Sequence, residues 1–323
     1  MKKLLLVGIN FLSILLLILG SQMNVAAHQT IQTLTQSPIE ESSSSFPFII
    51  YVDDSNVNGP WDGTLEHPFQ TIMDGYNAAS DGNTIYVFNG TYLTHWIKIK
   101  KSVRIVGQNK INTNVQVYFD FTVFNIQAND VRIENLTLIG NAPLPPSFWE
   151  GTIVLYGDRC TIKNNKIINN KWGTGILIDS GMNNIIQDNI FGSNLAGIRL
   201  HKANHCLIKN NLMSHTGPFI FDDSSHNIIS ENNLHSNIEL KYSPYNIFKR
   251  NNIYEGATFS SYLLDSINFW RSNYWNGFTK PIHQIIGTVF FPIGYNIDGI
   301  IYKTIRWSNY DLHAAIQPYN ISQ

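Results

Sequence analysis

The chain has 323 residues, a formal net charge of −1, and only 14% charged residues against 43% hydrophobic ones. That apolar share excludes a disordered tail, and the near-neutral balance excludes an electrostatic nucleic-acid binder, which needs clustered Lys and Arg. Two cysteines exclude a disulfide scaffold and a four-thiolate zinc site, and the polarity lies instead in 38 asparagines.

In chain order, Lys2 and Lys3 precede an apolar run from Leu4 to Leu19, and Val25-Ala26-Ala27 offers small residues for cleavage. Residues 1–27 therefore read as a secretory signal peptide, with no membrane span expected in the mature chain. Residues 28–46 are rich in Ser, Thr and Gln and read as a linker. Residues 47–110 should form a strand-helix cap and the first coils. Strands are expected at Phe46 to Val52 and Thr84 to Phe88. A helix is expected from Pro68 to Ala79, where Phe69, Ile72, Met73 and Tyr76 recur at helical spacing. Short strands should follow at Trp96 to Ile99, Val103 to Val106 and Val115 to Phe119.

Residues 111–267 are expected to form a solenoid. TIKNNKI, IIQDNIF, LIKNNLM, ISENNLH and FKRNNIY each carry an Asn before an apolar residue. Taking Asn165, Asn189, Asn211, Asn233 and Asn252 as equivalent, with Asn135 earlier, gives coils of about 22 residues. Apolar residues alternate within each unit, as in Gly175-Ile176-Leu177-Ile178, so the units are strands that bury their faces only by stacking. Asn suits a stacked row: it tolerates the left-handed conformation, and its amide can bond to the amide of the next layer. Cys160 and Cys206 should share a row with Asn184 between them. Two layers separate them by about 9–10 Å, too far for a disulfide, so both are expected as buried thiols. Residues 268–323, with Trp270, Trp275 and Trp307, should form an aromatic C-terminal cap.

These Asn-rich units resemble right-handed parallel β-helix proteins, the superfamily that includes pectate lyases and NosD-like periplasmic proteins. The opening YVDDSNVNGPWDG (51–63) and the later NYWNG (273–277) and KPI (280–282) are similar to segments of archaeal and bacterial cell-surface members. The resemblance implies an all-β, single-stranded right-handed parallel β-helix with a short N-terminal capping helix. It implies no single activity, because that fold carries lyases, hydrolases and non-enzymes.

Polar residues at strand ends offer the chemistry. A second polar marker, Asn183, His205, Asn227 and Asn246, precedes the anchors by six residues, and counting back from it groups Asp179, His201 and Asp223, with Asp222 and Lys241 one position earlier and Arg199 two before His201. Such a strip could supply the paired carboxylates of a glycosidase or the basic residue of a lyase. Trp149, beside Glu150 in a Pro-rich insertion, and Trp172 could stack on sugar rings. Asp54, Asn56, Asn58 and Asp62, with Gly59 at the sixth position, are oxygen donors spaced like a calcium loop, so calcium is the one cofactor candidate and none is required. His201, His205, His215, His226 and His235 fall in different rows by this count, against a copper cluster. The expectation is a secreted or cell-surface protein, non-enzymatic, binding a polysaccharide or envelope glycan or building the envelope. The alternatives are a polysaccharide lyase or glycoside hydrolase, and a NosD-like copper-handling accessory protein.

Overall fold

The computed structural model describes residues 48–118, 122–141, 145–168, 170–262, 267–277, 283–296, 299–311 and 313–321. The expected signal peptide, the linker and Phe119 lie outside them. The chain winds into stacked coils of three short strands, and each strand pairs in parallel with its counterpart one coil away. The first face runs from Ile49–Val52 and Thr84–Val87 through Thr161–Lys163 to Phe269–Arg271. The second runs from Gly90–Thr94 to Tyr274–Trp275, and the third from Ile97–Ile99 through Gly173–Asp179 and Ala196–His201 to Ala257–Tyr262. The last coil thus reaches Trp275, beyond the expected end at 267.

Alternation explains the core. On the first face the middle residue of each strand points inward, placing Ile133, Ile162, Ile186, Ile208, Ile229, Phe248 and Trp270 in one row. The five isoleucines and Phe248 are fully buried, and Trp270 nearly so. Burying an Ile or Phe side chain contributes about 1.5–3 kcal/mol, so each layer adds stability only when its neighbours cover it.

The corners divide between two adjacent residues the work expected of one Asn. Between the first and second faces, Asn135, Asn164, Asp188, Asn210, Glu231, Arg250 and Ser272 all have φ between 53° and 59°. The residue after each enters the core: Leu136, then Asn165, Asn189, Asn211, Asn232, Asn251 and Asn273. The equivalent residues are therefore Asn232 and Asn251, not Asn233 and Asn252, and Asn135 is a corner residue. Each buried Asn uses its whole amide. Asn211 Nδ2 donates to the Ile186 carbonyl (2.8 Å) and to Asn232 Oδ1 (3.0 Å), while its Oδ1 accepts the Asn189 N–H at 3.0 Å. The ladder ends on buried Asp311, whose Oδ2 accepts from Asn273 N–H and Nδ2, both at 2.9 Å. A second row holds Cys160, Asn184, Cys206, Asn227, Asn246 and Asn268. As the row count expected, both cysteines are free and buried, and burial pushes each thiol up to about 12.

Both ends are covered. The helix is Ile72–Ala78, shorter than expected, because Thr71 and not Pro68 sets its start: Thr71 Oγ1 accepts the Asp74 N–H at 3.1 Å. Phe69 instead bridges to Val52. Lys101 Nζ closes the other end of the helix, donating to the carbonyls of Tyr76, Asn77 and Ala79 at 2.6–3.1 Å. At the C-terminus a long antiparallel hairpin, His283–Asn296 with Gly299–Asp311, continues the third face, and Asp311 meets Trp270 on the first. Ala315 bridges to Tyr274 on the second.

Candidate functional site on the third face

The outward positions of the third face gather the polar strip. In register, Asp179 lies beside His201, His201 beside Asp222, and Asp222 beside Lys241. Arg199 projects from the same strand as His201, two residues earlier. Asp223 does not belong to this row. It is an exposed corner residue with φ 49°, aligned with Ser180, Lys202 and Tyr242, which share its left-handed conformation. The shift arises because the coil from His201 to Asp222 is one residue shorter than the count assumed.

Two polar side-chain contacts tie the strip together. His201 Nδ1 lies 2.8 Å from Asp179 Oδ1, and Arg199 Nη2 donates to Asp222 Oδ2 at 2.9 Å. Arg199 is only 7% exposed, although it faces outward. Trp149 covers it. Strand Ser147–Leu155 pairs Ser147 with Gly173 and Gly151 with Thr174, so residues 148–150 are extruded as a bulge. The bulge carries the Trp149 ring over the strip, with the Arg199 guanidinium carbon 3.7 Å from its centroid and the His201 ring edge-on at 4.7 Å. Trp149 itself remains 51% exposed. Lys241 is exposed, with its ammonium 5.6 Å from the Tyr242 ring.

Tyr156 is an unanticipated member. It follows Leu155, which pairs with Ile178, so it stands beside Asp179. Burial, then the charges of Asp179 and Glu150, raise its phenol pKa. Its only signal in the sequence was that position in the row, which required the register of the bulged strand.

The other candidates do not converge. In the 51–63 loop, Asp54 Oδ2 accepts the Thr91 N–H at 2.8 Å, Asn56 Nδ2 donates to the Pro68 carbonyl at 2.8 Å, and Asp62 Oδ1 accepts from Thr64 N–H and Oγ1. These side chains serve separate turns, and Asn58 is exposed. Among the described residues no group of three or more His, Cys, Asp or Glu is placed to hold a metal ion. His205 and His226 share a row after all, stacked at 5.3 Å, and burial and then His205 lower the His226 pKa. Trp270 and Trp275 are buried in the last coil, and Trp172 is 39% exposed. The Trp307 side chain lies outside what is described.

Comparison with known proteins fits this architecture. A family profile described as "Right handed beta helix region" matches residues 150–279. The fold is similar to the pectin methylesterase PemA from Erwinia chrysanthemi, with TM-score 0.52 and 12% identity over 72% of this chain and 90% of that one. The Aspergillus niger pectin methylesterase gives TM-score 0.51 and 12% identity over 71% and 86%. The Dettilon tailspike protein gives 0.54 and 13% over 72% of this chain and 51% of its own. No curated protein sequence matches. At these identities the likeness concerns the fold.

Proposed function

The chain is a right-handed parallel β-helix protein with the pectin lyase-like fold, and from that premise we propose that it binds a glycan on the outer face of its third sheet, outside the cell or on its surface. The observation that carries this reading is the exposed Trp149 ring set against Arg199 and His201. An aromatic face receives the C–H face of a sugar, while adjoining carboxylate, imidazole and phenol groups take its hydroxyls. Asp179, Asp222 and Tyr156 stand within that strip. Arg199, held by Asp222 and beneath Trp149, fixes the platform rather than reaching into solvent. The extracellular setting rests on the expected signal peptide, and the named neighbours act on pectin or are tailspikes.

The Asp179–His201 hydrogen bond supports a second reading, hydrolysis of the bound glycan, because a carboxylate that orients an imidazole prepares it for proton transfer. A glycan array with the secreted chain and its Trp149→Ala variant tests the first reading. Hits that vanish in the variant are expected, and an array without hits overturns it. Incubating any hit with the native chain and with His201→Ala separates the second: cleavage only by the native chain makes the protein an enzyme.

A further inference from the structure

The 51–63 loop spends its polar side chains on its own turns and presents an aromatic ring. Trp61 is 48% exposed, yet it is pinned. Its Nε1 donates to the Asn56 carbonyl at 2.7 Å, and Asn56 Nδ2 donates in turn to the Pro60 and Pro68 carbonyls at 3.3 and 2.8 Å. Gly59 lies against the six-membered part of the indole, where a Cβ would sit 3.3–3.4 Å from three ring atoms. With its N–H spent, Trp61 has only its π surface left to offer.

That ring borders an open groove of 550 Å³ at the N-terminal end of the stack, lined by Trp61, Phe69, Gln70, Asp74, Asn77 and Ala78. The loop supplies one wall and the helix Ile72–Ala78 another. Phe69 is half-buried, pressed so closely on Gly63 that a Cβ there would come within 2.6 Å of its ring. Asp74 is exposed, and Thr71 Oγ1 orients its carboxylate by donating to Oδ2 at 2.6 Å. Two aromatic rings and one carboxylate therefore share the groove.

The charge around it has one sign. From Phe48 to Ile97 the chain carries six carboxylates, Asp53, Asp54, Asp62, Glu66, Asp74 and Asp81, and no Lys or Arg, although the whole chain balances 22 Lys and Arg against 23 Asp and Glu. The His67 imidazole stands 3.4 Å from Asp62. Lys101 meets this end from the next coil, but its ammonium sits on the carbonyls of Tyr76, Asn77 and Ala79.

We propose that this groove binds a free trimethylammonium compound of the choline type. Such a group is weakly hydrated, so it leaves water at little cost, and an indole face attracts it. Having no N–H, it needs no hydrogen-bond acceptor, and the acidic surroundings supply the opposite charge. The Gln70 and Asn77 amides suit the hydroxyl of the ligand. The groove has the volume of a small-molecule site and shares no residue with the third-face strip.

Titration of the full chain with choline chloride, followed by NMR at the Trp61 indole N–H, tests the proposal. Saturable shifts are expected at millimolar choline and absent with sodium chloride at the same concentration. The uncharged isostere 3,3-dimethyl-1-butanol should bind about tenfold more weakly. Calorimetry should show Trp61→Leu about tenfold weaker, Asp74→Asn about threefold weaker, and Trp61→Phe, which keeps an aromatic face, within about threefold of the native chain. Trp149→Ala should leave choline binding unchanged, whatever becomes of the glycan site. The proposal fails if choline does not bind, if the isostere or ethanolammonium binds as tightly, or if Trp61→Leu binds equally with its Tm kept. Loss of binding in Trp61→Phe with its Tm kept, or competition by glucose, also overturns it. Sedimentation of the chain with phosphatidylcholine vesicles would move the ligand from a free compound to a lipid surface and overturn the assignment.

Discussion

At the scale of single residues, the division of labour at each corner explains both what the asparagines do and where the repeat misleads. The left-handed position accepts Asn, Asp, Glu, Arg or Ser, because it needs only a tolerable backbone and faces solvent. The position after it is narrower: its side chain must donate twice and accept from an N–H one coil back. Only an amide does both in a fully buried setting, so the row from Asn165 to Asn273 is uniform. The pairs Asn210-Asn211, Asn232-Asn233 and Asn251-Asn252 place Asn on either side of the register, and nothing local says which is inside. Hence the row of asparagines was legible and its phase was not. Asn232→Ala should leave the Asn211 N–H and Nδ2 without Asn232 Oδ1, and should remove the amide donation to the Ile208 carbonyl. At about 1–3 kcal/mol per buried group left unpaired, a loss of roughly 2–4 kcal/mol is expected, read as a lower urea midpoint. Asn233→Ala, the neighbouring change, should cost clearly less.

At the scale of elements, local signals located strands well and missed what depends on distant contacts. The helix was legible from Ile72 and Tyr76, but its first residue depends on Thr71 bonding to Asp74. Gly75 within it was unexplained by the sequence: a Cβ there would lie 2.6 Å from Val52 Cγ2, so the helix rests directly on the first strand. Gly75→Ala should therefore destabilise the protein by about 1–3 kcal/mol despite the better helix propensity of Ala, measurable as a drop in Tm. The strip was similarly half legible. Asp179, Arg199, His201 and Asp222 were found by their spacing, whereas the contact of Trp149 with Arg199 depends on a bulge between two strands of different coils. A bulge of that kind leaves no period in the sequence. The expected aromatic cap proved to be a long hairpin, whose strands pair with each other and with two faces at once.

At the scale of the whole molecule, the C-terminal end is closed on every face. His283–Asn296 covers the third, Asp311 meets the first, and Ala315 meets the second. A stack with exposed strand edges recruits other edges. A chain ending at Gly277 should therefore form higher-order species that the full chain does not, detected by light scattering after size exclusion, and it should also lose the acceptor that ends the Asn ladder. That ladder has a further consequence. Coils of 19, 21, 22 and 24 residues all fit it, because the corner and the buried amide stay constant while the loops absorb the difference. Copying one coil within the gene would then insert a layer that meets identical partners above and below and leaves both caps intact. The molecule can thus grow or shrink in evolution by whole layers, each changing its length by about 4.8 Å, with the distance between its two ends set by a count of coils.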